Sequence, residues 1–283
     1  MKIKFGPAGN PDGFYAAGFK HTLQIPGYLE RLGLTAYEYQ CGRGVNVGEE
    51  TARKLGEKAK EHGVTISLHA PYYISLSSLE PEKRENSIRY LLESARAVDW
   101  MGGERVILHS GSCGKMSRAE ALELAAETLT RARRALDEAG FPHIVLCPET
   151  MGKINQLGDL SEVLTLCEID ERMLPCIDFG HLNARTLGGI QTKEDFAAVL
   201  NAVEERLGSD RAGCFHSHFS KIEYTAGGEK KHLTFESDPG FGPDFEPLAQ
   251  LLKERNCAPT VICESAGTQE LDAQTMQRIF HNL

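Results

Sequence analysis

A chain of 283 residues, 41% hydrophobic and 25% charged, has the make-up of an ordinary folded protein able to bury a large core without staples, which excludes disorder. Its formal net charge of −9 argues against a generally basic nucleic-acid binder, although bound divalent cations would reverse that field locally. The eight cysteines are dispersed, form no C-x-x-C pair and sit mostly in or beside apolar runs, as expected of reduced thiols.

With no N-terminal signal pattern and no apolar run of about 18 residues, a cytoplasmic location is expected, with no membrane contact and no protein partner implied. A short apolar, β-branched run, a polar or Gly-rich loop and a helix-periodic segment recur along the chain. Strands are expected at 2–5, 36–40, 65–69, 105–109, 144–147, 174–178, 212–216 and 260–264, and helices at 48–62, 81–101, 117–139, 159–167, 193–207 and 244–254. Ser117, with Glu120 three residues on, has the signature of a capping box. The longest stretch without clear structure spans 217–243, and a loop of that size in a compact domain is usually functional. Strands alternating with helices imply parallel pairing through right-handed crossovers, and eight such units close a (β/α)8 TIM barrel. No linker or composition shift divides the chain, so one barrel domain is expected over 1–283. The lack of G-x-G-x-x-G after the first strand counts against an open dinucleotide-binding sheet.

Metal-ligand residue types end six consecutive strands. TISLH ends at His69 and RVILH at His109; HIVLCPE delivers Glu149; LPCIDFGH delivers Asp178 and His181; AGCFHSH delivers His216 and His218; PTVICE ends at Glu264. In a barrel all of these project to the C-terminal face, where catalytic groups of the fold collect. A single such residue is more often a loop anchor than a ligand. Six in succession would bury imidazoles and carboxylates together at a heavy desolvation cost, which cations remove. Mixed nitrogen and oxygen donors favour zinc over magnesium or calcium, with manganese or iron as alternatives. There are more donors than one ion needs, so two metals are expected, bridged by a carboxylate such as Glu149. Ions about 3.5–4 Å apart suit in-line displacement at phosphorus, which makes phosphoester hydrolysis the expected chemistry. His21, His62, His143 and His281 lie away from this face and read as structural or solvated.

The segments LHAPYYISLSS (68–78), ILHSGS (107–112), PET (148–150), IDFGHLNA (177–184), HSHFSK (216–221), the His232 loop and CESAG (263–267) resemble the zinc-dependent apurinic/apyrimidinic endonucleases of the endonuclease IV type. The likeness runs over nearly all the chain beyond the first loops. It implies a trinuclear site in which His69 and His109 hold one zinc and share bridging Glu149 with a second held by Asp178, His216 and Glu264. His181 and His232 would serve a third. Enzymes of this type cut the phosphodiester 5′ to an abasic nucleotide in damaged double-stranded DNA, leaving a 3′-hydroxyl. The resemblance makes Glu149 and Glu264 catalytic, Glu264 orienting or deprotonating the attacking water. Tyr72 and Tyr73 would enter the minor groove with Arg43 helping to fill the gap, although an aromatic pair can equally be a packed loop anchor.

Several positions depart from the family pattern. An Asp normally stands two residues before the loop His, where this chain has Lys230, so Glu229, His218 or water would have to substitute, or the position stays empty. The N-D-S after the seventh-strand His is here His218, Phe219 and Ser220, and the opening GPAGNPDGF also differs. Lys115, Arg185, Lys221, Lys230 and Lys231 suit either a phosphate-attracting rim or a solvated one. Two other readings stay open. One is a sugar isomerase or epimerase of the xylose-isomerase-like barrels, holding one divalent ion with Glu149, Asp178, His216 and Glu264; the other is a noncatalytic metal-binding relative.

Overall fold

The computed structural model describes residues 2–237 and 240–283. Eight parallel strands form the barrel: β1 (Lys4–Pro7), β2 (Ala36–Gln40), β3 (Thr65–His69), β4 (Arg105–Leu108), β5 (Val145–Pro148), β6 (Cys176–Asp178), β7 (His216–Phe219) and, after a hairpin of β8 (Ile222–Thr225) and β9 (Gly228–His232), β10 (Thr260–Cys263). They pair as β1-β10-β7-β6 and β2-β3-β4-β5. Single parallel bridges, Ala8 to Glu38 and Glu149 to Cys176, join the two sheets on both sides, giving the TIM barrel. The β1–β2 seam is tight because Gly6 has no side chain: a Cβ there would lie 1.7 Å from the Ala36 carbonyl oxygen.

The helices follow from the sequence patterns. Arg118–Glu138 starts at the expected capping box, with Glu120 N donating to Ser117 Oγ and Ser117 N donating to the Glu120 carboxylate. Its buried stripe, Ala121, Ala125, Leu129, Ala132 and Leu136, has the three-to-four residue spacing of a helix laid on a sheet. Leu160–Cys167 repeats the device with Asp159 and Glu162, and Arg118 clamps Glu162 at 2.6 Å, tying the starts of the two helices together. All eight cysteines are free thiols, six of them buried. No described helix is long and apolar enough to cross a membrane.

Two expectations need correction. The seventh strand, expected at 212–216, runs instead from His216 to Phe219, because Ser209–Ala212 forms a helical turn and pairing with β6 and β10 begins only at His216. The stretch 217–243, expected to lack regular structure, contains the end of β7 and the antiparallel β8–β9 hairpin. The hairpin strands are short and polar, and only the Gly-Gly pair at 227–228 announces their turn. Residues 238 and 239 of that stretch lie outside the described residues.

Side chains of one parity fill the barrel. Successive residues of a strand point to opposite faces, so inward positions recur every two residues and stack in layers. Gly6, Glu38, Ser67, Ile107, Cys147, Cys176 and His216 occupy a middle layer by this count. Two residues further on stand Gln40, His69, His109, Glu149, Asp178 and His218, at the C-terminal mouth.

Candidate metal centre

At that mouth the ligand atoms fall into overlapping groups, each with its atoms within 4.8 Å of one another: His69, His109 and Glu149; Glu149, Asp178, His218 and Glu264; His181, His232 and Glu264. Glu149 is common to the first two and Glu264 to the last two. His69, His109, Glu149, His181, His232 and Glu264 line a cavity of about 310 Å³, while Asp178 and His218 are fully buried.

Glu149 is the hub. Its Oε2 lies 3.2 Å from both His69 Nε2 and His109 Nε2, and its Oε1 is 3.1 Å from His218 Nδ1 and 3.3 Å from His181 Nδ1. Burial alone would raise the pKa of this carboxyl, but the imidazoles of His218, His109 and His181 outweigh it and hold the group well below the usual carboxylate range. Against the effect of burial, Cys176 with the carboxylates of Glu264, Glu38 and Glu149 lifts His218, and the carboxylates of Asp178, Glu149 and Glu229 lift His181, well above the ordinary histidine value. Glu264 is raised by burial, with His218 and His232 opposing and Glu149 and Asp178 adding to it.

Whether these residues suit metal ions is decided by where their nitrogens point. His69 Nδ1 donates to Ala70 O at 2.8 Å and His181 Nδ1 to Thr150 O at 2.9 Å, so each presents Nε2 to the cavity. His232 Nδ1 is bonded to Ser220 Oγ at 2.8 Å, again leaving Nε2 free, and His218 Nε2 is held by Glu38, leaving Nδ1. One nitrogen fixed by the protein and the other turned toward shared carboxylates is the arrangement of metal-binding histidines. Asp178 Oδ2 is buried with no hydrogen-bond partner among the described residues, 3.3 Å from His181 Nδ1, an orphaned acceptor that a cation would satisfy. The donor set fits two or three borderline divalent ions better than any all-oxygen shell.

His218, rather than His216, shares the mouth with Asp178 and Glu264. The two histidines face inward from the same strand, but His216 is one layer deeper, where its Nε2 bonds Glu38 Oε2 at 3.0 Å. Burial pushes its pKa down to about 4, with Glu38 opposing. The structure thus sets His216, expected at the mouth, one layer deeper, where its ligand nitrogen lies within 4.8 Å of the ligand atoms of Cys176 and His218. The same parity count explains why the strand-end pattern could not choose between the two.

Glu229, not Lys230, turns toward His181 and His232, presenting its carboxylate to them. Across the hairpin, Ile222 pairs with His232, Glu223 with Lys231, Tyr224 with Glu229 and Thr225 with Gly228, so Lys230 is an extra, unpaired residue on β9. This bulge puts Glu229 on the same side as His232 and turns Lys230 away. Glu229 Oε2 lies 3.4 Å from His181 Nε2 and its Oε1 lies 3.9 Å from His232 Nε2, while Lys230 pairs with Glu223 at 2.6 Å.

At the rim, Tyr72 is half exposed and stacks on the His109 ring, centroids 5.4 Å apart and planes 17° apart. Its N–H donates to Gly42 O, which sets it beside the exposed loop residue Arg43. Tyr73, by contrast, turns toward Tyr90 on the following helix, at 5.7 Å. Four of the expected rim cations are already engaged. Arg185 donates to backbone carbonyls of residues 151–156, Lys221 pairs with Asp244 at 3.1 Å, and Lys230 and Lys231 both pair with Glu223. Lys153 lines the cavity instead.

Glu229 enters the sequence reading only as a substitute, His218 enters it beside His216 at the end of the seventh strand, and Glu38 does not enter it at all. Its available signal is an acid between two tyrosines in the otherwise apolar strand AYEYQ.

Comparison with known proteins agrees with the barrel. An uncharacterized protein of Methanocaldococcus jannaschii is 34% identical over 283 residues, spanning 100% of this chain and 98% of that protein. A probable endonuclease 4 of Acholeplasma laidlawii is 26% identical over 175 residues, which is 59% of this chain and 58% of that protein. Among solved structures, a D-tagatose 3-epimerase-like protein superposes with a TM-score of 0.73 at 17% identity, covering 99% of this chain and 97% of that one. Endonuclease IV from Thermus thermophilus superposes with a TM-score of 0.67 at 20% identity, covering 99% and 98%. The family model described as xylose isomerase-like TIM barrel matches residues 27–280, and this chain belongs to that family.

Proposed function

We propose that this chain is a zinc-dependent phosphodiesterase that hydrolyses the phosphodiester 5′ to an abasic site in damaged double-stranded DNA. The observation that carries the reading is the number and overlap of the donor groups: four imidazoles and three carboxylates line one cavity, and buried Asp178 and His218 lie within 4.8 Å of Glu149 and Glu264, together more than a single ion can use. His69 and His109 with Glu149, then Glu149, Asp178, His218 and Glu264, then His181, His232 and Glu229 are the sets that would hold the ions. Ions held there supply Lewis acidity to phosphoryl oxygens and make water acidic enough to attack at neutral pH.

The chain's own residues divide the remaining work. Glu149, bonded on both oxygens by imidazoles, keeps the first two sets in register. Glu264, partly exposed to the cavity and with a raised pKa, orients the attacking water and takes its proton. Tyr72, half exposed beside the His109 ring, offers a stacking platform to a base, and neighbouring Arg43 and Lys153 offer charge to backbone phosphates. The free thiols agree with a reducing, cytoplasmic setting.

A one-metal sugar epimerase would need only Glu149, Asp178, His218 and Glu264, leaving His69, His109, His181, His232 and Glu229 without a task. The test is metal analysis followed by incubation with an abasic-site duplex. The reading expects a nick 5′ to the lesion, abolished by chelation and restored by zinc. Fewer than two tightly held metals, with no nick after zinc is resupplied, would overturn it.

A further inference from the structure

Below the candidate centre lies a carboxylate that belongs to none of its ligand sets. Glu38, midway along β2, is fully buried, and its two oxygens meet four side-chain donors. Gln40 Nε2 lies 2.9 Å from Oε1 and Ser67 Oγ 3.2 Å from Oε2; His216 Nε2 is 3.0 Å from Oε2, and His218 Nε2 is 3.0 Å from Oε1. An ionised carboxylate only accepts, and four donors fill its lone-pair positions. Both histidines must then carry hydrogen on Nε2.

For His218 the consequence reaches the mouth. With Nε2–H committed to Glu38, Nδ1 is the nitrogen left to present a lone pair to an ion, and it lies 3.1 Å from Glu149 Oε1 and 3.5 Å from Glu264 Oε2. The corresponding nitrogens of His69 and His232 are held by neutral groups, the carbonyl of Ala70 and the hydroxyl of Ser220, and that of His181 is nearest the carbonyl of Thr150 at 2.9 Å, with Glu149 and Asp178 each 3.3 Å away. His218 is thus the one among these four whose fixed nitrogen makes its shortest contact to a charged acceptor. Such charge-assisted bonds are shorter and stronger, and they make the opposite imidazole nitrogen more basic. His216 braces the same carboxylate from the layer below, its own Nδ1 buried without a hydrogen-bond partner among the described residues.

We infer that Glu38 is a positioning residue: it fixes the tautomer and ring orientation of His218 and strengthens Nδ1 as a donor to the ion shared with Glu149, Asp178 and Glu264. His216 contributes as the brace of that carboxylate rather than as a ligand. This rests on the metal-centre part of the function proposed above and not on the nature of the substrate.

The experiment is a competition titration of apo-protein with zinc against a chromophoric chelator, comparing wild type with Glu38→Gln, alongside a thermal melt of each apo form. The amide cannot accept from all four donors and releases His218 from a single tautomer. One zinc equivalent is expected to weaken about 10–100-fold while the others are unchanged and the apo variant still melts cooperatively. Wild-type affinity at every site, or a parallel loosening of all sites, overturns the inference. Should the variant fail to fold, nitrogen NMR of the histidines in zinc-loaded wild type decides the matter. A protonated Nε2 with zinc on Nδ1 of His218 is expected, and zinc on Nε2 contradicts it. Neither readout involves DNA, so normal zinc binding with no nicking of an abasic duplex sinks the nuclease reading and leaves Glu38's role standing.

Discussion

Glu229 and His181 face each other across the barrel mouth, with Glu229 Oε2 3.4 Å from His181 Nε2, although the residue two before His232 is Lys230. The bulge at Lys230 makes this possible by setting Glu229 and His232 on one side of the hairpin. Glu229→Ala is therefore expected to remove one metal equivalent, while Lys230→Ala keeps the full complement. Elemental analysis after dialysis checks this, and loss of metal from Lys230→Ala would show that the bulge has been misjudged.

His216 and His218 differ in depth, and substitution should separate them. His218→Ala is expected to lose the ion shared by Asp178 and Glu264 and to cost at least about 100-fold in nicking rate, the scale of losing a transition-state charge stabiliser. His216→Gln, one layer down, should retain its metals and lose stability instead, about 1–3 kcal/mol for a disturbed buried hydrogen bond. Paired metal counts and denaturant titrations measure both effects. Loss of an ion from His216→Gln with stability unchanged would reverse the assignment.

Metal affinity should rise with pH. In the metal-free protein the surrounding carboxylates hold His181, and Cys176 together with carboxylates holds His218, well above the ordinary histidine value, so these rings keep protons that an ion has to displace. Below those raised pKa values each displaced proton weakens binding about tenfold per unit fall in pH, and above them the dependence flattens. Zinc competition titrations between pH 6 and 8 read the slope directly. A flat profile would mean that the rings carry no displaceable protons.

Tyr72 and Tyr73 should behave unlike each other. Tyr72 stacks on His109 at the cavity rim, whereas Tyr73 leans on Tyr90. Tyr72→Ala is expected to weaken binding of abasic duplex by about 1–3 kcal/mol, the worth of one aromatic stacking platform, with metal content intact. Tyr73→Ala should have the smaller effect. Equal losses in a fluorescence-anisotropy titration would remove the distinction.

The barrel could be read from the chain because each strand is a compact apolar run and the runs alternate with capped helices such as the one begun by Ser117 and Glu120. The positions of His69, His109, Glu149, Asp178 and Glu264 at the mouth follow from ending such runs. Depth was harder to read. His216 and His218 share one inward parity, and only the start of β7 after the 209–212 turn decides which reaches the mouth. Glu229 needed the hairpin register, since a bulge leaves no mark in a polar segment like GEKKH. Glu38 ends no strand, and its meaning appears only when β7 brings two imidazoles to it from 178 and 180 residues away.

Anomalous scattering from zinc-loaded crystals tests the central claim most directly. Three peaks are predicted: beside His69 and His109, between Asp178 and His218, and between His181 and Glu229, the first two bridged by Glu149. One peak alone, held by Glu149, Asp178, His218 and Glu264 with the remaining imidazoles bonded only to protein, would contradict the account and favour single-ion sugar chemistry.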